Sequence, residues 1–355
     1  MRLSKSKASA TARLGAVMAA MALVAAACGT DDAEPDTAAP DDDEDTEEVE
    51  ETEEPEEPAE DAPSFLTMAT GSTGGTYFPL GGAMAGVWSG NIDGLQVSTQ
   101  ASGASAENLR LLSAGEVDLI MAVNGVANNA YNGVGDFEGE EHDFAYLGNV
   151  YGEVNQIVAR ADADITTVED LAGKRVALGP PGSGTELFAR ALLERAGIDP
   201  DNDIEAFQDT FGEAADRLRD GSIDASFAIL ALPAGSIEEV ATSVDLVLVS
   251  LEGDLLDQTL EDDPTLSVIE ADAGTYANID QPATLVTNWA TLYAPSDMHE
   301  ETVYELVRVL YEHNEDIAAA HAVGGQIQIE TAVDGVGDIP IHPGAQRYYE
   351  EAGAL

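Results

Sequence analysis

From about residue 64 onward, short apolar runs alternate with helical stripes. Phe65–Thr70 is an apolar strand that runs into Gly71-Ser72-Thr73-Gly74-Gly75-Thr76-Tyr77, and a small-residue helix follows through Ala83, Met84, Val87 and Trp88. Short apolar runs bounded by glycine read as strands, and apolar positions three and four apart read as one helix face. About 108 residues later the arrangement returns. Val176-Ala177-Leu178 is the strand and Gly179-Pro180-Pro181-Gly182-Ser183-Gly184-Thr185 the loop. Leu187, Phe188, Ala191 and Leu192 form the helix stripe, which Gly197 ends. A second pair recurs at about 106 residues: the helix end, glycine stop and strand of Leu111–Val123 match those of Leu218–Ile229.

Two matched pairs at nearly one spacing predict two lobes of similar β-α-β-α-β build. In parallel sheets of this kind, ligands bind at the carboxyl ends of the strands. The fold expected is α/β, with two lobes, each a β-sheet flanked by helices, joined by hinge crossings. Crossings are expected near Val154–Arg160 and Thr284–Trp289. They divide the chain into a first lobe of residues 64–155 with 285–355 and a second of 156–284. Thr167–Asp170 reads as a short capped helix stopping at Gly173. Met298 to about Ala322 reads as one long helical stretch, and Leu285–Tyr293 as a returning strand.

The N-terminus has a different character. Arg2, Lys5, Lys7 and Arg13 precede an apolar run, Leu14–Ala27, that is short for a membrane span. Residues 1–27 therefore read as a signal peptide. Cys28, the only cysteine, follows at once and is the expected site of a lipid anchor to the membrane; an ordinary signal peptide with an incidental cysteine is the other reading. Residues 31–61 hold 19 acidic and no basic residues. Such a segment cannot bury apolar area and repels itself, so 28–63 is expected to be a disordered tether.

Charge narrows the function classes. The chain has 68 acidic against 14 basic residues. Nucleic acid is excluded, because phosphate binding needs clustered Lys and Arg. From residue 64 on there are 49 acidic and ten basic residues, with Lys174 the only lysine. So acidic a domain is expected to be adapted to high salt, which screens self-repulsion. Enzyme motifs are absent. Lys174 is followed by Arg175, not by the Ser or Thr of a phosphate loop. Ser183 sits in Pro-Gly-Ser-Gly-Thr, not in a nucleophile elbow. His142, His299, His313, His321 and His342 show no metal-ligand spacing. No enzyme activity, metal or cofactor is expected.

The two Gly/Ser/Thr loops carry the chemistry. Each lies between a strand and a helix start, where free N–H groups and the helix dipole favour an anion. Ser72, Thr73, Thr76, Ser183 and Thr185 add hydroxyls. Tyr77 either covers a ligand or packs into the core.

The residues Gly71–Gly82 resemble the opening signature of the TAXI family, the solute receptors of one class of tripartite ATP-independent periplasmic (TRAP) transporters. The similarity continues through Ala101–Asn108, Gly115–Leu119, Asp170–Val176 and Gly179–Thr185, and ends with Ile339–Tyr349; it spans residues 65–353. The resemblance implies a type II periplasmic-binding-protein fold and delivery of a solute to a separate Na⁺-coupled membrane permease. It also implies a small carboxylate ligand such as glutamate, glutamine or a 2-oxoglutarate-like acid. Carried onto this chain, the ligand site uses Gly71, Ser72, Thr73, Gly74, Gly75, Thr76 and Tyr77, then Ser102, Asn124, Gly182, Ser183, Gly184 and Thr185. Met121–Val126 departs from the family, where relatives often carry a Gln or Asp-containing turn; Asn124 is the substitute. Phe227 is expected as an apolar wall, and Glu153 either accepts a ligand ammonium or is a surface carboxylate. His342-Pro343-Gly344 is expected to be structural. A receptor for another solute, such as a vitamin precursor, and a sensory subunit of a membrane kinase are the alternatives.

Overall fold

The computed structural model describes residues 62–140 and 142–355; the expected leader, Cys28 and the acidic segment to residue 61 lie outside them. The chain opens with β1 (Phe65–Ala69), α1 (Tyr77–Asn91), β2 (Gln96–Gln100), α2 (Ser105–Ser113), β3 (Leu119–Val123) and α3 (Asn124–Asn132). A long strand, β4 (Ala145–Arg160), leads into β5 (Arg175–Ala177), α4 (Gly184–Arg195), β6 (Glu205–Phe207), α5 (Phe211–Asp220), β7 (Ala225–Leu230), α6 (Gly235–Ala241) and β8 (Leu246–Leu248). Then come α7 (Gly253–Asp262), β9 (Ser267–Ala271), the second long strand β10 (Ala283–Ala294), α8 (Glu300–Glu312), α9 (Asn314–Ala320) and α10 (Pro343–Ala352).

The strands hydrogen-bond in the order β2-β1-β3-β10-β4-β7-β5-β6, with β8 on β4 and β9 on β10. The internal repeat is visible in this order. β2-β1-β3 is parallel and is followed by antiparallel β10. β6-β5-β7 is parallel and is followed by antiparallel β4. The two lobes thus share one topology.

Each lobe has apolar clusters on both faces of its sheet, as strands buried on both sides require. In the first lobe, Met68, Leu80, Trp88, Leu306 and Leu310 belong to one cluster, and Leu109, Ile120, Phe144 and Tyr293 to the other. The second lobe pairs a cluster around Leu178, Leu192 and Phe227 with one around Leu218, Ile223 and Ile237.

The long strands join the lobes. β4 pairs with β10 up to Asn155 and with β7 from Val154, so the handover falls at Val154–Asn155. β10 pairs with β9 through Thr287 and with β3 from Ala290. Two elements differ from the expected ones. The helical stretch after Met298 breaks at His313, whose ring bonds Asp316 while the Asn314 amide donates to the Ile327 carbonyl. The segment before Gly173 makes only a single 3₁₀ turn, Glu169–Leu171.

Candidate functional site

A small cavity of about 20 Å³ lies between the lobes at the carboxyl ends of the strands. It has room for about one water and is far below the range for ligand pockets, roughly 300–1,000 Å³. Gly71, Ser72, Gly75, Thr76 and Tyr77 line it from the first lobe, and Ser183, Gly184 and Thr185 from the second.

Among the described residues, Glu153 is the only Asp, Glu, Lys, Arg or His lining this cavity. It is 2% exposed. The Tyr77 hydroxyl donates to its Oε2 at 2.7 Å, and the Tyr151 hydroxyl to its Oε1 at 3.1 Å. The two rings meet edge to face at 6.3 Å. Burial pushes the Glu153 carboxyl up to about 8, against the opposing pull of the two tyrosine hydrogen bonds. Burial, with the neighbouring carboxylate, also raises both phenols well above their usual value. Among the described residues no arginine or lysine lines the cavity. All nine arginines among the described residues are committed to ion pairs.

The loop hydroxyls divide into engaged and free. Ser183 caps α4 by accepting from the Glu186 N–H at 3.1 Å, and Thr185 Oγ1 accepts from the Ile229 N–H at 3.2 Å. Ser72 Oγ is buried in the cavity wall and has no partner among the described residues. A buried polar atom of this kind is normally satisfied by something.

Several expected residues lie elsewhere. Asn124 is fully buried but spent on structure: its Oδ1 accepts from Gly125 and Trp289 N–H, and its Nδ2 donates to Gly335. Ser102 bonds Asn108 and the Thr70 carbonyl instead of facing the cavity. Phe227 packs in the second-lobe core because β7 runs on for three more residues, so Ile229 and Leu230 form the apolar wall. Thr73 is exposed and, with Gly74, lines a neighbouring groove. The Gly182 carbonyl accepts from the Ala106 and Glu107 N–H groups across the lobes. His342 caps α10, a structural place.

Tyr151, Ser105 and Phe211 line the cavity and escaped the sequence reading. Two signals pointed to them. Tyr151 is two positions before Glu153 on one strand, hence on its face. Ser105 and Phe211 open α2 and α5, the helices matched by the repeat of about 106 residues.

Residues 68–353 match the NMT1-like family. The chain belongs to that family. Among solved structures, this NMT1-like chain resembles PhnD1 from Prochlorococcus marinus, solved in complex with methylphosphonate. The two are 10% identical with a TM-score of 0.52, over 82% of this chain and 99% of that one. That likeness shows the two-lobed periplasmic-binding-protein fold. The aliphatic sulphonate binding protein SsuA from Escherichia coli matches at 17% identity, TM-score 0.44, over 81% and 79% of the two chains. A putative L-cystine ABC transporter from Listeria monocytogenes matches at 14% identity, TM-score 0.46, over 78% and 98%. Among the described residues no helix is long and apolar enough to cross a membrane.

Proposed function

We propose that this chain is an extracytoplasmic receptor that encloses a small amino-bearing acid between its lobes and hands it to a TRAP-type membrane permease. The carrying observation is Glu153, a buried carboxyl group lining the cleft with two tyrosine donors and, among the described residues, no cation. A ligand ammonium supplies the missing charge, and a charge-assisted hydrogen bond in a desolvated site is among the stronger single contacts. The ligand carboxylate is placed at the starts of α1 and α4, which face the same cavity. Ser72 Oγ is the free hydroxyl that the solute engages. The family resemblance of the Gly71–Gly82 and Ile339–Tyr349 segments supports the TRAP assignment, and Cys28 is the proposed lipid attachment point.

Isothermal titration against amino acids and their keto-acid counterparts tests the reading. The amino-bearing member of a pair, such as glutamate against 2-oxoglutarate, is expected to bind at least about tenfold tighter, near 1.4 kcal/mol. Failure of every amino-bearing acid to bind the folded protein would sink it.

Salt adaptation belongs to the same proposal. The arginines are already paired, which leaves most of the 49 carboxylates beyond residue 63 without a counter-charge. Molar salt shortens the screening length to about 3 Å. The melting temperature is therefore expected to rise by about 5 °C or more between 0.05 M and 2 M KCl, on the scale of 2–4 °C per kcal/mol. Calorimetry showing the same melting temperature at both concentrations would refute the adaptation.

A further inference from the structure

The cleft has a second chamber. A cavity of about 200 Å³ lies beyond Val123, Gly184 and Ile229, which line both spaces. Asn155 of β4 and Asn288 of β10 line it. In the ladder Asn288 stands opposite Glu153 and Asn155 opposite Val286. Paired residues share a face, as do positions two apart, so Glu153, Asn155 and Asn288 project from one face of the lobe junction.

Both asparagines are almost fully buried, at 1% and 6% exposure. Asn155 Nδ2 donates to the Val286 carbonyl at 3.3 Å, but the Oδ1 atoms of Asn155 and Asn288 are buried without a partner among the described residues. Buried carbonyl oxygens call for N–H or O–H donors. The chamber's other polar groups indicate which kind. Arg195 is held by Asp262 and Thr259, so it is not available to a carboxylate. The Asp263 carboxylate, fixed by the Thr265 N–H and hydroxyl, adds further negative charge.

We propose that this chamber is a subsite for the nitrogen-bearing end of the enclosed solute, a carboxamide, urea or guanidinium whose N–H groups bond Asn155 Oδ1 and Asn288 Oδ1. The inference rests on the receptor reading and deepens it. Glu153 holds the amino group, and the asparagine pair selects a far end that donates hydrogen bonds and rejects a terminal carboxylate.

Isothermal titration of the folded protein with pairs that differ at one end tests it: glutamine against glutamate, asparagine against aspartate, and the longer citrulline and arginine against 2-aminoadipate. The nitrogen-terminated member is expected to bind at least tenfold tighter. In the Asn155→Leu, Asn288→Leu double variant the two members of a pair should bind within about threefold of each other, with Glu153 intact. Asn288→Ala alone, a milder change, should narrow the ratio and covers the case in which the double variant fails to fold. Equal binding of the pairs by the unaltered protein, tighter binding of the carboxylate member, or a ratio left undiminished by Asn288→Ala would overturn the subsite while leaving the receptor reading standing. Absence of binding by every compound would overturn both.

Discussion

Glu153→Gln is expected to make the protein more stable at pH 8 and to abolish most of its affinity for an amino-bearing solute. The two effects have one origin. The carboxyl titrates at about 8 in the folded protein against 4.5 in a free chain. Between those values the folded state holds a proton that the unfolded state has lost, so stability falls as pH rises. The protonated carboxyl contributes fully below about pH 4.5, and its contribution is gone above about 8. The span of 3.5 units corresponds to about 5 kcal/mol at most. Glutamine keeps the shape and removes the titration. The variant should match the parent near pH 4.5 and melt several degrees higher at pH 8. Ligand binding runs the other way. An ammonium needs the ionised carboxylate, so parent affinity should rise with pH up to about 8, by at most tenfold per unit. Loss of a buried charge partner costs about 3–5 kcal/mol, so the glutamine variant should bind on the order of 100-fold more weakly or worse at pH 8, with a flat pH profile. Melting curves and titrations from pH 5 to 9 check both. A parent affinity independent of pH, or a variant that binds normally, would remove Glu153 from the site.

Much of the architecture was legible because it is written locally and twice. The strand-loop-helix runs at Phe65 and Val176, and the glycine stops at Gly115 and Gly221, announce two lobes of one topology, and the sheet order repeats accordingly. The two loops could be placed at the strand ends because that rule is local as well. What local pattern cannot convey is where a side chain points once distant strands pair. Asn124 has the composition of a ligand residue, yet Trp289, 165 positions later, takes its carbonyl oxygen. The pattern puts Phe227 at a strand end, but pairing with β4 extends β7 to Leu230 and draws the ring into the core. Asn155 and Asn288 offered no sequence signal at all. Their shared face exists only because β4 and β10 run antiparallel through the lobe junction.

The glycines at the mouth of the cleft lead to the other large expected effect. The lobes touch through backbone. The Gly182 carbonyl of the second lobe accepts from the Ala106 and Glu107 N–H groups at 3.0 and 3.2 Å, where α2 has no side-chain cap of its own. Orphan N–H groups at a helix start need such a partner. Thr76 Oγ1 accepts from the Ala231 N–H across the same gap. This approach leaves no room for side chains. A Cβ on Gly74 would sit 2.6 Å from the Gly212 nitrogen and 2.9 Å from its Cα, and one on Gly103 would run into the Pro181 carbonyl oxygen. Backbone cannot rotate out of the way as a flexible side chain does. Gly74→Val and Gly103→Val should therefore fold normally, with each lobe's core untouched, and hold the lobes apart. Solute affinity is expected to fall about 100-fold, near 2.7 kcal/mol. The rise in melting temperature that saturating ligand gives the parent should vanish with it. Gly82→Val is the control, because nothing lies within 4 Å of its Cβ position. Small-angle scattering adds an independent reading: ligand should contract the parent and the Gly82 variant, but not the Gly74 or Gly103 variants. Contraction with normal affinity in Gly74→Val would mean that lobe contact at this point is no part of how the solute is held.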